Sequence, residues 1–433
     1  MQIAIAIANP DAAGRNYLTW APVRATARVV DPVGADPVAV TVSNDDAQAG
    51  GQLEFAAERD EPRTGSLDLT LPADGTPVEF WVAGVVGRAS SADGDAVLRV
   101  ANPGEAVALT TKAVMVRVRK DANELGAAER DRFTTALAKL NDQGAGLFQN
   151  FRDMHRQPLA LNQAHGAPGF LSWHRAYLLD LERELQRIDP SVTLPYWRFD
   201  RPAPRLFAAD FLGRTGPFGD VIFSATNLLR QWNTDGAPGI SRRPQFNVQN
   251  SGAFVSDDGT TLAMGGLPPD AIFDTGTDSG GFDEMEGDPH GFAHTSFAGW
   301  IRSTGTAPRD PLFFLLHCNV DRLWALWQWF NNRFDGTLPR AYFFRGSAGS
   351  AVATDIGHNL LDTMWPWNNV TGFPRPGNAP RTPFPAVPTA TAPGPAPTVG
   401  DMIDYQGLLN AQSDMNFAYD DVPYGVAPSN PPG

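Results

Sequence analysis

The chain has 433 residues, with 34 Lys and Arg against 48 Asp and Glu, which gives a formal net charge of -14. Affinity for a phosphate backbone comes from basic residues that release counterions, so a chain this acidic is not expected to bind nucleic acid. Cys318 is the single cysteine, which excludes an internal disulfide bond and any cysteine cage around zinc or an iron–sulfur cluster.

The apolar run near the N-terminus, MQIAIAIANP (1–10), has no basic residue before it and is too short for a secretory signal or a membrane span. No other stretch reaches the roughly 18 apolar residues that a transmembrane helix needs. We therefore expect no membrane partner and a cytoplasmic location, with export left open.

A chain of this length accommodates two or three domains, and residues 1–112 predict the first, an all-β sandwich. Short runs of alternating apolar residues recur there. In SLDLTL (66–71), for example, Leu67, Leu69 and Leu71 share one face. Turn-forming residues separate these runs at close intervals, which is typical of a sandwich.

A second, mainly α domain is predicted over residues 113–367. Its segment 170–188 has apolar residues at helical spacing, and His174 lies within that apolar stripe. A further helix is predicted to begin with Asp310 as its N-cap, followed by proline in the first helical position. Between these helices, residues 201–280 are rich in Gly, Pro and Asn and predict mostly loop.

The C-terminal part predicts two smaller segments. Residues 368–398 are rich in proline and predict an extended segment that is ordered only where it lies against the body. Residues 399–433 are amphipathic enough to dock on the helical domain. The expected fold class is therefore multidomain, with the β sandwich first and the helical domain second.

Six of the seven histidines fall into two groups of three. The first trio is His155, His165 and His174, and the second trio is His290, His294 and His317. Ligand sets made only of imidazole suit copper, zinc, nickel or iron. Two such sites brought together would hold two metal ions about 4 Å apart. A single buried histidine is more often a hydrogen-bonded core residue, but two groups of three are hard to explain in that way.

Two stretches around these histidines resemble the signatures of the tyrosinase family, the type 3 dicopper proteins. The first is His165, four further residues and then FLSWHR (170–175), and the second combines DP (310–311), FF (313–314), His317 and Asp321. Three shorter stretches also resemble the family, namely LPYW (194–197), DTMWPW (362–367) and FAY (417–419). The resemblance covers about residues 113–425 and leaves the N-terminal sandwich outside it.

The resemblance implies a four-helix-bundle core that holds two copper ions as cofactor, with O2 as co-substrate. Each histidine trio would bind one copper ion. The implied activity is that of a tyrosinase or catechol oxidase, which converts small phenolic substrates, o-diphenols and in some members monophenols, to o-quinones. A copper-delivery partner is left open.

The resemblance also suggests roles for two carboxylates. Some family members have a glutamate four residues before the first histidine of the second trio, where it orients a water molecule and helps to deprotonate a phenol. Glu286 matches that position, with Glu284 and Asp288 as competitors and a solvated acidic loop as the alternative. Asp321 follows His317 by one helical turn and is expected to fix the tautomer of a ligand imidazole. The alternative for Asp321 is a surface aspartate paired with the neighbouring arginine.

Four further residues are expected beside the metal ions. Phe170 and Phe313 would wall the pocket, although core packing would explain each ring equally well. Gly291 and Thr295 follow the first two histidines of the second trio. Bacterial tyrosinases often carry asparagine where this chain has Gly291, which puts efficient monophenol hydroxylation in doubt.

Several alternatives remain at this stage. They are an o-aminophenol oxidase, a haemocyanin-like protein that binds O2 without turnover, and a zinc hydrolase. A zinc protease is disfavoured, because its motif needs glutamate where Gly291 stands. The sandwich could cover the mouth of the site, supply a placeholder side chain or help to deliver copper.

Overall fold

The structure is a computed structural model that describes residues 2–32, 34–45, 50–246, 248–263, 270–272, 280–342, 357–368 and 384–428. The chain divides into two compact units. The first unit comprises Met1–Val118, Val387–Thr391 and Asp414–Tyr424, and the second comprises Arg119–Ala386, Ala392–Ser413 and Gly425–Gly433.

The first unit contains two β-sheets built from nine strands among the described residues. The strands are β1 (Ile3–Ile7), β2 (Tyr17–Leu18), β3 (Val23–Val29), β4 (Val38–Asn44), β5 (Leu53–Ala56), β6 (Ser66–Leu71), β7 (Val78–Gly84), β8 (Ala96–Ala101) and β9 (Ala108–Val116). One sheet has the order β1-β3-β7-β5, and the other has the order β2-β9-β8-β4-β6. All neighbouring strands are antiparallel except β2 and β9, which are parallel.

The two sheets bury one common apolar core, as expected for a sandwich. Val40 and Val42 of β4 are fully buried in the same cluster as Phe80 and Val82 of β7. Because side chains alternate across a strand, every second residue of these strands points into the core. Leu69 and Leu71 of β6 follow the same rule, since both are buried while the intervening Thr70 is exposed.

The unit boundaries differ from the predicted segments in two places. Strand β9 crosses the predicted boundary between residues 112 and 113. The segment Asp414–Tyr424 belongs to the first unit, whereas the sequence predicts that residues 399–433 dock on the helical domain as a whole. Within the first unit, Trp20 Nε1 donates a hydrogen bond of 2.7 Å to the carbonyl of Tyr419, which helps to hold that segment.

The second unit is mainly helical. Its helices are α1 (Ala127–Asn141), α2 (Phe148–Arg156), α3 (Pro158–Ala164), α4 (Phe170–Ile188), α5 (Val248–Ser251), α6 (Asp258–Leu262), α7 (Phe292–Thr295) and α8 (Leu312–Asn331). In the described part of this unit, six short strands form two-stranded pairs, namely β10 (Arg214–Thr215) with β11 (Val221–Ile222), β12 (Asn233–Thr234) with β13 (Ala237–Pro238), and β14 (Arg242–Pro244) with β15 (Phe297–Gly299). The described parts of residues 201–280 are otherwise mostly loop, as predicted.

Helix α8 is buried over most of its length, because it carries apolar residues on nearly every side. Helix α4 is also largely buried, and its buried charged residues have partners, as Arg175 has in Asp321. The bounds of α4 agree with the predicted 170–188. Helix α8 begins at Leu312, and Pro311 rather than Asp310 is its N-cap. Asp310 still caps the helix, because its Oδ1 accepts a hydrogen bond of 3.0 Å from the Leu312 backbone N–H. Its other oxygen pairs with Arg242 at 2.9 Å.

Of the Pro-rich segment 368–398, residues 369–383 lie outside the described part, and residues 384–398 are described. Phe384 is buried against the Trp367 ring, with 5.5 Å between their centroids. Arg183 of α4 donates hydrogen bonds to the carbonyls of Pro385 and Ala392. No helix among the described residues is both long enough and apolar enough to cross a bilayer.

Candidate metal centre

The first histidine trio comes from three consecutive helices. His155 lies in the last turn of α2, His165 directly follows α3, and His174 lies in the second turn of α4. Their ring centroids are 4.9 Å apart for His155 and His165, 5.4 Å for His165 and His174, and 5.7 Å for His155 and His174. The sequence prediction that these three side chains meet agrees with this geometry.

The second trio comes from a wide helical turn, from α7 and from α8. His290 lies in the wide turn Gly287–Gly291, His294 lies in α7, and His317 lies in α8. Their ring centroids are between 4.7 and 5.4 Å apart. Within each trio, one nitrogen from every histidine lies within 4.8 Å of the other two.

The two trios face each other where α4 and α8 lie side by side, because His174 of the first trio is on α4 and His317 of the second is on α8. The His174 and His317 rings are stacked, with centroids 4.1 Å apart and planes inclined by 12°. The two groups are therefore adjacent parts of one site.

Backbone carbonyls select the tautomer of four of the six imidazoles. The Nδ1 atom lies 3.1 Å from the Thr304 oxygen in His155, 2.8 Å from the Phe170 oxygen in His174, 2.7 Å from the Glu286 oxygen in His290 and 2.6 Å from the Ile301 oxygen in His294. A carbonyl oxygen can only accept a hydrogen bond, so each of these Nδ1 atoms carries the proton and each Nε2 atom presents a lone pair. This is the arrangement that positions histidine ligands in metal sites.

The remaining ring nitrogens show that the site fits metal ions. The Nε2 atoms of His155, His174 and His290 are buried without a hydrogen-bond partner, which is costly unless a ligand fills the gap. The Nε2 atoms of His294 and His317 are 3.2 Å apart. Imidazole nitrogens lie about 2.0–2.1 Å from a bound metal such as zinc, so two nitrogens at this separation can contact one ion.

The electrostatics also favour metal binding. Burial lowers the pKa of all six imidazoles, to about 4 for His165 and His294 and well below the ordinary value for the other four. At neutral pH the rings are therefore uncharged, which is the form that binds a metal ion.

A cavity of about 210 Å³ opens beside the histidines. Its wall contains His155, His165, His290 and His294 together with Gly291, Thr295, Phe313, Arg302 and Thr304. Phe313 is fully buried, with its ring centroid 4.3 Å from that of His317 and 4.9 Å from that of His155. Phe170 packs 4.9 Å from His290 and 5.0 Å from His174. It lies behind the histidines, outside the cavity lining.

Comparison with known proteins decides the family. A family model for the common central domain of tyrosinase matches residues 145–330, which contain all six histidines. The tyrosinase of Streptomyces antibioticus is 31% identical over 277 residues, covering 59% of this chain and 94% of the relative. The tyrosinase of Streptomyces glaucescens is 33% identical over 278 residues, covering 59% of this chain and 93% of the relative.

The chain belongs to the tyrosinase family. Tyrosinase-family proteins carry a type 3 dicopper centre, so the cofactor is a pair of copper ions and O2 is the co-substrate. Among solved structures, deoxygenated hemocyanin from Rapana thomasiana matches with a TM-score of 0.46 and 21% identity, covering 71% of this chain and 70% of that chain.

Glu286 lies beside this tyrosinase site. Its carboxylate accepts hydrogen bonds of 2.8 and 3.0 Å from the backbone N–H of Gly166, the residue after His165. Burial raises the pKa of Glu286 to about 7. The two competing carboxylates lie elsewhere, since Glu284 is exposed and Asp288 accepts hydrogen bonds from Ser256.

Asp321 has a different role from the two that the sequence suggests. It is buried, which rules out a surface aspartate, and the neighbouring Arg322 pairs with Asp258 at 2.8 Å. Its carboxylate accepts hydrogen bonds of 3.1 Å from Arg119 and 2.6 Å from Arg175. For four of the six imidazoles, the acceptors that fix the tautomer are the backbone carbonyls described above, and His317 Nδ1 has no hydrogen-bond partner among the described residues.

Sequence reasoning did not identify Arg302 and Thr304 as residues of this site. The Thr304 carbonyl orients His155, and both residues line the cavity. Neither residue belongs to a recognisable motif. By contrast, the carbonyls of Phe170 and Glu286 lie four residues before His174 and His290, a helical spacing that the sequence does contain.

Proposed function

We propose that the protein oxidises o-diphenols to o-quinones. The observation that carries this proposal is a 210 Å³ cavity whose wall contains imidazoles of both trios. A bound copper pair would supply the redox chemistry that links O2 to a phenolic ring. Each diphenol loses two electrons and two protons, and two turnovers reduce one O2 to two molecules of water.

The proposed bundle around the copper pair consists of α2, α4, α7 and α8, which carry four of the six histidines. Phe313 is fully buried and presents an apolar surface to the cavity, so it would pack against the substrate ring and exclude water.

We propose Glu286 as the residue that positions a water molecule or accepts the phenolic proton. Its carboxylate is anchored by the Gly166 N–H beside the first trio, and its backbone oxygen orients His290 of the second trio. Glu286 therefore contacts the segments that carry both trios. This location suits a proton acceptor that serves a substrate bound between them.

Diphenol oxidation is proposed as the main activity, with monophenol hydroxylation weaker. Gly291 lines the cavity and presents no side chain there. An asparagine at this position would offer an amide beside Glu286, whose backbone oxygen lies 3.3 Å from a Cβ placed on Gly291. Without that amide, the protein has one polar group fewer with which to orient a monophenol.

The test is a substrate panel on copper-loaded protein, with metal-free and zinc-loaded protein as controls. A catechol, an o-aminophenol and a tyrosine ester are followed by absorbance together with O2 consumption. We expect quinone formation from the catechol with copper only. An oxygen-dependent absorption change without turnover of any substrate would indicate O2 binding instead, and activity with zinc alone would indicate a hydrolase.

A further inference from the structure

Among the described residues, one cationic residue besides the histidines lines the cavity. Arg302 lines the cavity and is exposed to solvent. Within the described part of the chain, its guanidinium makes no ion pair and no hydrogen bond to another side chain. Most other arginines of this unit are paired, as Arg322 is with Asp258. A free guanidinium at a cavity of this kind is available to a ligand.

The segment that carries Arg302 lies next to the end of α2. The contact is the hydrogen bond between His155 Nδ1 and the Thr304 oxygen, two residues after Arg302. Arg156 follows His155 and is also exposed. The two exposed arginines thus belong to neighbouring segments, both of which contribute residues to the cavity wall.

Further cations lie near Arg156. Burial lowers the pKa of Arg152 and Arg309, and the positive charge of Arg156 lowers both further. Their acidic partners are Asp153, which pairs with Arg152 at 2.8 Å, and Asp235, which pairs with both arginines. Three arginines around the end of α2 therefore share two aspartates. This excess of positive charge contrasts with the net charge of -14 for the whole chain.

We propose that Arg302 recognises an anionic substituent on the phenolic substrate, so that the preferred substrates are diphenols with a carboxylate on the side chain. This inference rests on the proposed function, because the ring must enter the cavity for its side chain to reach Arg302. Guanidinium and carboxylate groups match in geometry and pair through two parallel hydrogen bonds. The surrounding arginines add a field that attracts anions toward the entrance.

The expected effect is moderate, because Arg302 is exposed and water screens its charge. Charge-assisted pairing at such a rim corresponds to roughly a 1.5- to fivefold preference in kcat/KM. The preference should appear mainly in KM, since the carboxylate lies away from the reacting hydroxyls. It should also shrink when the salt concentration rises from 0.01 to 1 M, because the screening length falls from about 30 to about 3 Å.

The test compares 3,4-dihydroxyphenylacetate, neutral 4-methylcatechol and cationic dopamine on the copper-loaded full chain. We expect the anionic catechol to be preferred by the wild type. Arg302→Gln should remove this preference, whereas Arg302→Lys should retain much of it. Arg230→Gln serves as the matched control, because Arg230 is an exposed arginine outside the cavity lining.

A binding measurement separates this inference from the proposed function. Phenylacetate, an anionic ring that cannot be oxidised to a quinone, is titrated into copper-loaded wild type and Arg302→Gln by calorimetry, with benzyl alcohol as the neutral reference. Binding of phenylacetate that depends on Arg302 supports the inference even if no catechol is oxidised. Oxidation of all three catechols with the same kcat/KM ratio in wild type and Arg302→Gln would overturn the inference and leave the proposed function intact.

Discussion

The replacement Asp321→Asn tests how the two helices that carry the facing histidines are held together. Asp321 of α8 is buried and bonds Arg119 and Arg175, while Arg175 itself follows His174 on α4. Asparagine keeps the shape of the side chain but loses its charge, and its amide can accept from only one of the two arginines. The guanidinium of Arg175 then keeps the neutral acceptors Gln328 and the Met402 carbonyl.

The magnitude follows from the burial of these groups. Breaking a buried ion pair by removing one partner costs about 3–5 kcal/mol, because a buried charge is left uncompensated. Arg175 also lies 3.7 Å from the Trp324 ring centroid and 4.4 Å from that of Tyr405, contacts that Asp321→Asn leaves in place. Asp321→Asn should therefore lower the free energy of unfolding by about 3 kcal/mol, the lower end of this range.

The assay is urea unfolding of metal-free protein, followed by tryptophan fluorescence, in which the midpoint and slope give the free energy of unfolding. The matched control is Asp131→Asn, which removes a carboxylate that pairs with Arg130 at 2.8 Å but is 62% exposed. In the control, the free energy of unfolding should fall by about 1 kcal/mol or less. An Asp321→Asn loss no larger than that of the control would refute the conclusion that this buried pairing stabilises the helical unit.

Three further predictions concern the site and its surroundings. His317→Ala should reduce bound copper from two ions per chain toward one, measured by plasma mass spectrometry, whereas His358→Ala, a buried histidine outside both trios, should keep two. Burial raises the pKa of Asp283 well above its ordinary value, and the charge of Glu286 raises it further. The folded state therefore binds the carboxyl proton of Asp283 more tightly than the unfolded state does, so the free energy of unfolding falls as pH rises above about 4. Asp283→Asn should therefore raise the melting temperature more at pH 8 than at pH 5, and an equal shift at both would contradict this reasoning. Gly291→Asn should raise the ratio of monophenol to diphenol rates, with an unchanged ratio as the contrary result.

The two histidine groups and the helices α4 and α8 could be predicted from the sequence, because they depend on local spacing. Apolar periodicity followed by Asp189-Pro190 gives the bounds of α4, and the four-residue separation of His290 and His294 brings both rings to one side of a turn. Helices α2 and α3, which carry or precede His155 and His165, were not predicted. The tautomers could not be predicted in full. His155 and His294 are oriented by the carbonyls of Thr304 and Ile301, which lie in a loop without any motif.

The partners of Asp321 show a second limit of sequence reasoning. Arg119 is 202 residues away along the chain, and no local pattern connects the two. Helical periodicity places Asp321 one turn after His317 but does not distinguish a metal-site acceptor from a buried ion pair. The C-terminal segment Asp414–Tyr424 is a similar case, because its place in the strand-rich unit depends on contacts with residues near the start of the chain.

The most direct test of the central claim is an anomalous difference map recorded at the copper absorption edge from crystals of the copper-loaded protein. The account predicts two peaks, one in contact with imidazole nitrogens of His155, His165 and His174 and the other in contact with those of His290, His294 and His317. A single peak, or copper bound away from these six rings, would contradict the account.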